Sequence, residues 1–340
     1  MVIRPPSFWY GSQGRLVPAL LWPLARIISA ATGRRVGRAG WRAPIPVVCC
    51  GNVNVGGTGK TTLAIDLGQR LRSRGLRIHF LLRGFGGSFR GTRQVTLADS
   101  AASVGDEALL LAQVAPTWIG ADRARSAEHA IATGADILVL DDGLQNPTLA
   151  KDLSFLVVDG GAGFGNGRVL PAGPLRESIY SGAKRCQAAV LIGDDITGAL
   201  AALPIGFPVL RARLVAGPSA GILAGRRVMA FAGIARPEKF FTTVRDTRAV
   251  LVEQIPLTDH QFFTRRLFER LRDRAQRLDA LLVTTAKDAA RLSPEQRDEV
   301  HVVHVYMAWD DEAALESLLD QVTARRNTSM NRSTSVSSLL

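Results

Sequence analysis

The chain has 340 residues, more than the single hydrophobic core of about 100–200 residues usually accommodates, so we expect one large or two modest domains. Hydrophobic residues make up 46% and charged residues 21% of the sequence, which excludes a disordered chain and a bundle of membrane helices. The net charge is +12, yet residues 1–65 hold eight basic side chains and no acidic one. This concentration of positive charge argues against a basic nucleic-acid-binding domain spread over the whole protein. It favours binding of an anionic surface, an anionic lipid or a nucleotide near the N-terminus.

Residues 1–44 contain an apolar stretch with several possible roles. Arg26 interrupts the apolar run that starts at Leu16, which leaves about half the length of a membrane-spanning helix. We interpret the segment as an interfacial anchor; the alternatives are a cleaved signal peptide and a helix packed on the protein's own core. In the anchor hypothesis aromatic side chains face lipid and arginines lie near the headgroups. These residues are Trp9, Tyr10, Trp22, Arg15, Arg26, Arg34, Arg35 and Arg38.

From residue 45 short apolar runs alternate with helical stretches. Continuous apolarity predicts strands covered on both faces, hence a parallel α/β sheet. The predicted strands are 46–50, 78–82, 137–140, 153–158 and 188–192, with helices over 62–75 and 106–115. A stretch rich in Pro, Gly and Ala at 204–227 predicts a domain junction. Beyond it lie predicted strands in 228–234, 280–288 and 301–309 and a helix that begins at Pro237.

The three cysteines have neither a disulfide framework nor the spacing of metal ligands. Cys49 and Cys50 are adjacent within an apolar run, and Cys186 is remote in sequence. We expect buried thiols in a reducing cytosol.

The strongest local signal is a glycine-rich loop between a predicted strand and a predicted helix. Backbone N–H groups of such a loop bind phosphates, its lysine reaches the β- and γ-phosphates, and the following hydroxyl ligates Mg²⁺. The usual pattern has glycine at position 54, and asparagine tolerates the left-handed backbone better than most residues. The predicted nucleotide-binding residues are Asn54, Val55, Gly56, Gly57, Thr58, Gly59, Lys60, Thr61 and Thr62.

A site for Mg²⁺ and a nucleoside triphosphate also needs a carboxylate at the end of a neighbouring strand. Asp141 and Asp142 follow four apolar residues and supply it. A kinase further needs a base near the transferred phosphoryl group. Asp106, at the start of a predicted helix, and His260 are candidates, although the sequence equally allows a helix N-cap and a surface histidine.

The loop alone does not separate a kinase from a membrane-surface switch ATPase or GTPase without a lipid acceptor. That switch class also has a Gly-Gly-x-Gly-Lys-Thr-Thr loop, but it carries a lysine immediately before the two glycines. Val55 occupies this position and counts against the switch.

Further short segments accompany the phosphate loop in a fixed order. They are GNVNVGGTGKT (51–61), RGFGG (83–87), VGDE (104–107), GADR (120–123), LDDGLQN (140–146), LPAGPLRE (170–177), FAGIARPEKFF (231–241), DHQFF (259–263) and TTAKD (284–288). Together they resemble the motifs of the tetraacyldisaccharide 4'-kinase family of lipid A biosynthesis, from about residue 8 to 310. The chain departs from the family pattern at Leu144, Asn146 and Ala286.

The resemblance implies a role for each matching residue. Asp106 would be the base at the sugar 4'-hydroxyl, with His260 as its partner and Lys60 at the γ-phosphate. The implied metal ligands are Thr61, Asp141, Asp142 and Glu177, and the implied substrate contacts are Arg83, Arg123, Gln145 and Arg176. Lys287 and Asp288 would lie near the nucleotide base.

The resemblance also implies an ATP- and Mg²⁺-dependent kinase acting on an acylated disaccharide 1-phosphate. We expect a monomer, peripheral or monotopic, at the cytoplasmic face of the inner membrane, with no nucleic-acid partner. The expected fold is α/β, a P-loop NTPase-like parallel sheet with a second, smaller α/β domain and an N-terminal membrane-associated helix. The predicted divisions are an anchor (1–44), a P-loop kinase domain (45–225), the smaller domain (226–309), a C-terminal helix (310–325) and a disordered tail (326–340).

Overall fold

The computed structural model describes residues 6–11 and 16–336, with side chains up to residue 324. Its strands are β1 (Val47–Gly51), β2 (Ile78–Leu82), β3 (Arg93–Val95), β4 (Thr117–Ile119), β5 (Ile137–Asp141), β6 (Leu153–Asp159), β7 (Ala188–Ile192), β8 (Val209–Ala216), β9 (Arg227–Ala232), β10 (Val250–Pro256), β11 (Leu281–Thr285), β12 (His301–Val303) and β13 (Val305–Trp309). Its α-helices are α1 (Leu16–Val36), α2 (Lys60–Ser73), α3 (Ala101–Val104), α4 (Asp106–Ala112), α5 (Arg123–Ala132), α6 (Ile179–Ala183), α7 (Pro237–Asp246), α8 (Arg265–Arg277), α9 (Ala286–Ala289), α10 (Pro294–Asp298) and α11 (Glu312–Val336).

A nine-stranded sheet forms the larger lobe, in the order β13-β8-β7-β6-β1-β5-β2-β4-β3. All neighbours are parallel except at the two edges, where β13 and β3 run antiparallel. Strands β1, β2, β5, β6 and β7 are buried along their whole length, which confirms the predicted sheet covered on both faces. Because β1 lies between β5 and β6, the carboxyl ends of these three strands meet at one edge.

A smaller lobe contains a parallel four-stranded sheet in the order β10-β9-β11-β12. Phe241 of α7 packs on one face and Phe268 of α8 on the other. The sequence predicts one strand over 301–309, and this is wrong: β12 ends the small sheet, and β13 returns to the large sheet beside β8. Both strands are apolar, and only His304 separates them, so composition does not reveal the change of sheet.

Strand β8 lies within the stretch that the sequence assigns to a domain junction. Its burial alternates, with exposed Arg211 and Arg213 on either side of buried Ala212, because β8 is covered less completely than the central strands. Because polar and apolar residues alternate along β8, the sequence has no continuous apolar run there and does not predict this strand.

The C-terminal helix α11 packs against the phosphate-loop helix α2. Leu315, Leu319 and Val322 enter the core of the larger lobe, and Glu316 pairs with Arg70, 2.8 Å away. The helix continues to Val336, past the predicted end at 325, because no glycine or proline interrupts the segment. Residues 337–340 of the predicted tail lie outside the described residues.

Helix α1 presents one apolar stripe to the body of the protein and another to its surroundings. Pro18 and Ala25 are buried, whereas Leu16, Leu20 and Ile27 are 80%, 81% and 66% exposed. Among the described residues α1 is the one helix long and apolar enough to cross a membrane, judged by length and composition alone. The helix runs through Arg26 without a break, so the charge that interrupts the apolar run does not interrupt the helix.

The aromatic residues near α1 do not all share its exposed face. Trp9 lies in a short turn before α1 and its indole N–H donates to the carbonyl of Pro171 (3.2 Å). Trp22 is half exposed, with the Arg26 guanidinium 5.0 Å from its ring centre. Arg15 lies outside the described residues.

Candidate active site

The phosphate loop connects β1 to α2 at the centre of the large sheet. Gly56 and Gly59 have φ values of 120° and 93°, in the left-handed region that favours glycine. Asn54 does not adopt this conformation; its buried side-chain amide donates to the carbonyl of Gly163 (3.0 Å). The asparagine therefore fixes the loop through a side-chain bond, which corrects the conformational reason given from sequence.

Thr61 and Asp141 form the first corner of the site. The Thr61 hydroxyl donates to Asp141 Oδ2 (2.8 Å), while Asp141 Oδ1 is buried and has no hydrogen-bond partner. Burial, followed by the negative charge of Glu107, raises the pKa of Asp141 to about 7. Lys60 Nζ lies 3.6 Å from Asp142 Oδ1 next to this pair. We call Lys60, Thr61, Asp141 and Asp142 the metal corner.

The metal corner fits a divalent cation held jointly with a nucleotide. A buried carboxylate oxygen without a partner next to a hydroxyl is the donor set that Mg²⁺ accepts when phosphate oxygens and waters complete its shell. Among the described residues no group of three or more His, Cys, Asp or Glu side chains could hold a metal by itself. The protein ligands therefore suit a phosphate-bound cation.

Asp142 leads into a polar network that includes three other predicted residues. Arg176 Nη1 lies 2.9 Å from both Asp142 oxygens and 3.2 Å from Gln145 Oε1. Gln145 Nε2 donates to Glu177 Oε1 (2.8 Å), and Arg185 binds both Glu177 oxygens. Burial opposes ionisation of Asp142, but Lys60 and Arg176 outweigh it and lower its pKa. Glu177 thus already has partners on both oxygens.

Asp106 lies at the start of α4 and touches the smaller lobe. Gly105 precedes it with φ 89°, and a Cβ there would lie 2.4 Å from the carbonyl oxygen of Phe85, so the turn requires glycine. Gly105 is the N-cap residue, so the N-cap alternative for Asp106 is wrong. The carboxylate is buried, and Oδ2 lies 3.0 Å from Nδ1 of His260.

His260 follows β10 and is held in a left-handed backbone conformation with φ 57°. Its side chain is 27% exposed and directed at Asp106, so it is no isolated surface histidine. The structure therefore brings together, from two lobes, the two residues that the sequence offered as base candidates. We call Asp106 and His260 the dyad.

Cations of the smaller lobe surround the dyad. Arg291 Nε lies 3.5 Å from Asp106 Oδ2, and Lys287 Nζ lies 3.2 Å from Glu107 Oε1. Burial would raise the pKa of Asp106, but the hydrogen bond from His260 and the charges of Lys287 and Arg291 lower it. Sequence reasoning placed Lys287 near the nucleotide base and missed Arg291, four residues after it.

The remaining predicted residues are spread around the same edge. Arg83 is exposed directly after β2. Arg123 is buried at the start of α5, donates to the carbonyl of Gly120 and leaves its Nε without a partner; burial lowers its pKa to about 10. Asn146, one of the departures from the family pattern, accepts hydrogen bonds from Thr148 and closes the turn after Gln145.

A second contact between the lobes lies beside the phosphate loop. Asp159, buried at the end of β6, binds Arg236 and Lys239 of the smaller lobe, each at 2.6 Å. A Cβ on Gly57 would lie 3.3 Å from the Ala235 side chain. Asp159 belongs to none of the sequence motifs, although it directly follows the predicted strand 153–158, which lies next to β1. We call these residues the loop seam.

Sequence and structure comparisons with known proteins find matches that carry the same family name. A family model described as tetraacyldisaccharide-1-P 4'-kinase (LpxK) matches residues 17–324. Curated relatives named tetraacyldisaccharide 4'-kinase include those of Gluconacetobacter diazotrophicus, 53% identical over 94% of this chain and 98% of the relative, and of Rhodospirillum centenum, 51% identical over 93% and 96%. The fold is similar to a crystal structure of "apo" form LpxK from Aquifex aeolicus in complex with ATP. That similarity has a TM-score of 0.71 at 22% identity and covers 91% of this chain and 100% of that one.

Proposed function

Because the chain belongs to the tetraacyldisaccharide-1-P 4'-kinase family, we propose that its two lobes divide the chemistry of that reaction between the metal corner and the dyad. The enzyme transfers the γ-phosphate of ATP to the 4'-hydroxyl of a tetraacylated glucosamine disaccharide 1-phosphate and yields a bis-phosphorylated lipid A precursor. The observation that carries the division is the 3.0 Å contact between Asp106 and His260 across the lobes.

Asp106 accepts the proton of the 4'-hydroxyl. As the sugar oxygen bonds to the γ-phosphorus, the bond from that phosphorus to the bridging oxygen breaks and ADP leaves. The lowered pKa keeps Asp106 ionised at neutral pH, and His260 orients the carboxylate and shares the proton. The base is thus assembled only where the smaller lobe meets the larger one.

Lys60 and the loop N–H groups bind the nucleotide phosphates at the start of α2. Mg²⁺, when bound with ATP, would neutralise phosphate charge at Thr61 and Asp141. Asp142 holds Lys60 and Arg176, both of which approach its side chain. Glu177 keeps Gln145 oriented through the bond at 2.8 Å, a role that its engaged oxygens favour over direct metal contact.

Arginine side chains bind the anionic parts of the substrates. Arg83 is exposed directly after β2, and Arg123 has a buried Nε donor without a partner. Guanidinium groups suit phosphates because they offer paired donors in one plane. Arg176 would exchange one contact with Asp142 for one with substrate, and Gln145 would contact the sugar or the metal shell.

The exposed stripe of α1 inserts shallowly into the cytoplasmic leaflet of the inner membrane, with Arg34, Arg35 and Arg38 near the lipid headgroups. Its support is the exposure of Leu16, Leu20 and Ile27 on a helix otherwise attached to the protein. Every residue proposed for the site comes from one chain, so we propose that a monomer suffices.

Transfer of label from γ-labelled ATP tests the reaction. With the tetraacyl disaccharide 1-phosphate as acceptor, we expect label in the lipid and a requirement for Mg²⁺. Release of label only as free phosphate, with or without acceptor, would support the switch ATPase instead.

Vesicle sedimentation tests the anchor separately. Replacing Leu16, Leu20 and Ile27 with serine should release the protein from anionic vesicles, while the matched replacement of exposed Ile196, Ile205 and Ile222 should not. Equal binding of both triple variants to the vesicles would contradict the anchor. It would favour the alternative that α1 only packs on the protein's own core.

A further inference from the structure

Arg291 contacts three parts of the smaller lobe and one residue of the larger lobe. Its side chain is only 4% exposed. Nη1 donates to the carbonyl of Gln261 (3.0 Å), Nη2 donates to the carbonyl of Gly233 (2.8 Å), and Nη2 also lies 2.7 Å from Asp288 Oδ1. The guanidinium thus uses most of its donors on fixed acceptors, an arrangement that a lysine ammonium does not reproduce.

Arg291 also donates from Nε to the carbonyl of Lys287 (3.3 Å), and the other two carbonyls that it binds lie on either side of His260. Gly233 O also accepts the backbone N–H of His260 (3.1 Å), and Gln261 is the residue after it. The left-handed φ of 57° at His260 is strained in a residue other than glycine, and it persists only where the surroundings hold it. Arg291 supplies two of the bonds that hold this loop.

Arg291 also approaches the carboxylate oxygen to which His260 points. Its Nε lies 3.5 Å from Asp106 Oδ2, the oxygen 3.0 Å from His260 Nδ1. Asp288 binds the guanidinium and also accepts a hydrogen bond from the backbone N–H of Gly233 (2.9 Å). Asp288 and Arg291 therefore hold the N–H and the carbonyl of Gly233. One buried cation therefore touches the loop that carries His260 and the carboxylate that His260 must meet.

We propose that Arg291 is a positioning residue of the kinase: it fixes the His260 loop against Asp106 and supplies a positive charge to the carboxylate. The proposal rests on the assignment of Asp106 as base. Arg291 acts through the dyad and does not itself contact the reacting atoms.

The positive charge of Arg291 should affect the acid limb of the pH profile of kcat, because it lies next to the Asp106 carboxylate. The ionisable and charged groups around Asp106 are His260, Asp259, Lys287, Arg291 and its neighbour Glu107. Removal of the Arg291 charge favours protonation of Asp106, so the acid limb should move to higher pH. A role confined to stability would leave the acid limb of the folded enzyme unchanged.

The test compares Arg291→Met, Arg291→Lys and the control Arg297→Met on the full-length enzyme. Arg297 is exposed and donates to the carbonyls of Ala289 and Leu292, in the same segment but away from Asp106. For Arg291→Met we expect kcat to fall by about 10- to 100-fold, as small misplacements of catalytic groups do, with KM for ATP within about twofold. Its acid limb should shift by about one pH unit.

Arg291→Lys should restore the acid limb but leave kcat below that of the wild type, because one ammonium cannot bind both carbonyls. Arg297→Met should match the wild type in both. A wild-type kcat and acid limb in Arg291→Met would overturn the proposal. If Arg291→Met does not fold, as judged by thermal unfolding, Arg291→Lys decides: a wild-type kcat would overturn the proposal.

Asp106→Asn, measured in the same series, separates this inference from the proposed function. Turnover of Asp106→Asn at the wild-type rate would remove the base assignment itself. An inactive Asp106→Asn beside a wild-type Arg291→Met would leave the base in place and remove only the role of Arg291.

Discussion

Asp141 and Asp106 are both buried carboxylates at the same edge of the large sheet, yet their surroundings differ. Asp141 has one oxygen without a partner and a pKa raised by burial to about 7. Asp106 faces His260, Lys287 and Arg291, and these lower its pKa in spite of burial. Lys60 offsets only part of the effect of burial on Asp141, whereas the cations around Asp106 outweigh the effect of its burial. In the proposed mechanism the base is therefore ionised before substrate binds, whereas the proposed metal ligand is only partly compensated, by Lys60.

The two groups also differ in origin. The metal corner comes wholly from the larger lobe, from the start of α2 and the end of β5. The dyad joins α4 of the larger lobe to the loop after β10 in the smaller lobe. Substitutions should therefore separate metal binding from proton transfer.

The largest effect is expected for Asp106→Asn. Removal of a general base typically costs about 10²- to 10⁴-fold in rate, and we expect kcat to fall within that range. Affinity for ATP, measured by equilibrium titration, should stay within about twofold because the phosphate loop is untouched. A parallel loss of ATP affinity would show that Asp106 belongs to the nucleotide site.

Asp141→Asn should act through the metal. We expect the Mg²⁺ concentration for half-maximal activity to rise by about 10- to 100-fold, with partial recovery at high Mg²⁺. Asp136→Asn, directly before the same strand, is the control and should leave the Mg²⁺ requirement unchanged. A kcat loss that Mg²⁺ does not relieve would contradict the assignment.

The same variant should gain stability in the absence of Mg²⁺. A carboxyl with a native pKa of about 7 and an unfolded value of 3.8 binds more protons when folded, so wild-type stability falls as the pH rises from about 4 to 7. Asp141→Asn avoids this loss and should be more stable at pH 8 by up to about 4 kcal/mol. The difference should disappear below about pH 4, where the wild-type group is protonated in both states. Thermal unfolding at both pH values measures it.

The loop seam should give the smallest effect. Arg236 and Lys239 are about one-third exposed, so each ion pair with Asp159 contributes about 1 kcal/mol or less after solvent screening. Asp159→Asn should lower the Tm by a few degrees and kcat only a few-fold. Glu253→Gln removes an ion pair confined to the smaller lobe, with Arg274, and is the matched control. If kcat changes equally in Asp159→Asn and Glu253→Gln, the loop seam has no specific role in joining the two lobes.

The sequence predicts the proximity of Thr61 and Asp141 because each belongs to a local motif. A glycine-rich loop between strand and helix, and paired acids after an apolar run, suffice to bring Thr61 and Asp141 together once β1 and β5 are neighbours. The dyad is different, since 154 positions separate its members and only the resemblance to a family paired them. The role of Arg291 could not be predicted because its partners are mostly backbone carbonyls. Every residue type has a backbone carbonyl, so the sequence does not show which residues Arg291 contacts.

The fold shows the same division between local and long-range information. Fully buried central strands have continuous apolar sequences and were predicted correctly, whereas β8 alternates at a less covered position. The separation of β12 from β13 depends on which sheet each strand joins, a long-range choice that apolar composition does not specify.

Single-turnover kinetics test most directly the claim that the dyad performs the chemistry while the metal corner holds the nucleotide. Enzyme preloaded with Mg²⁺ and labelled ATP is mixed rapidly with the acceptor, and label in the lipid is followed in time. In Asp106→Asn we expect bound ATP at the wild-type level and transfer slower by at least about 100-fold. Transfer at the wild-type rate in that variant would contradict the claim.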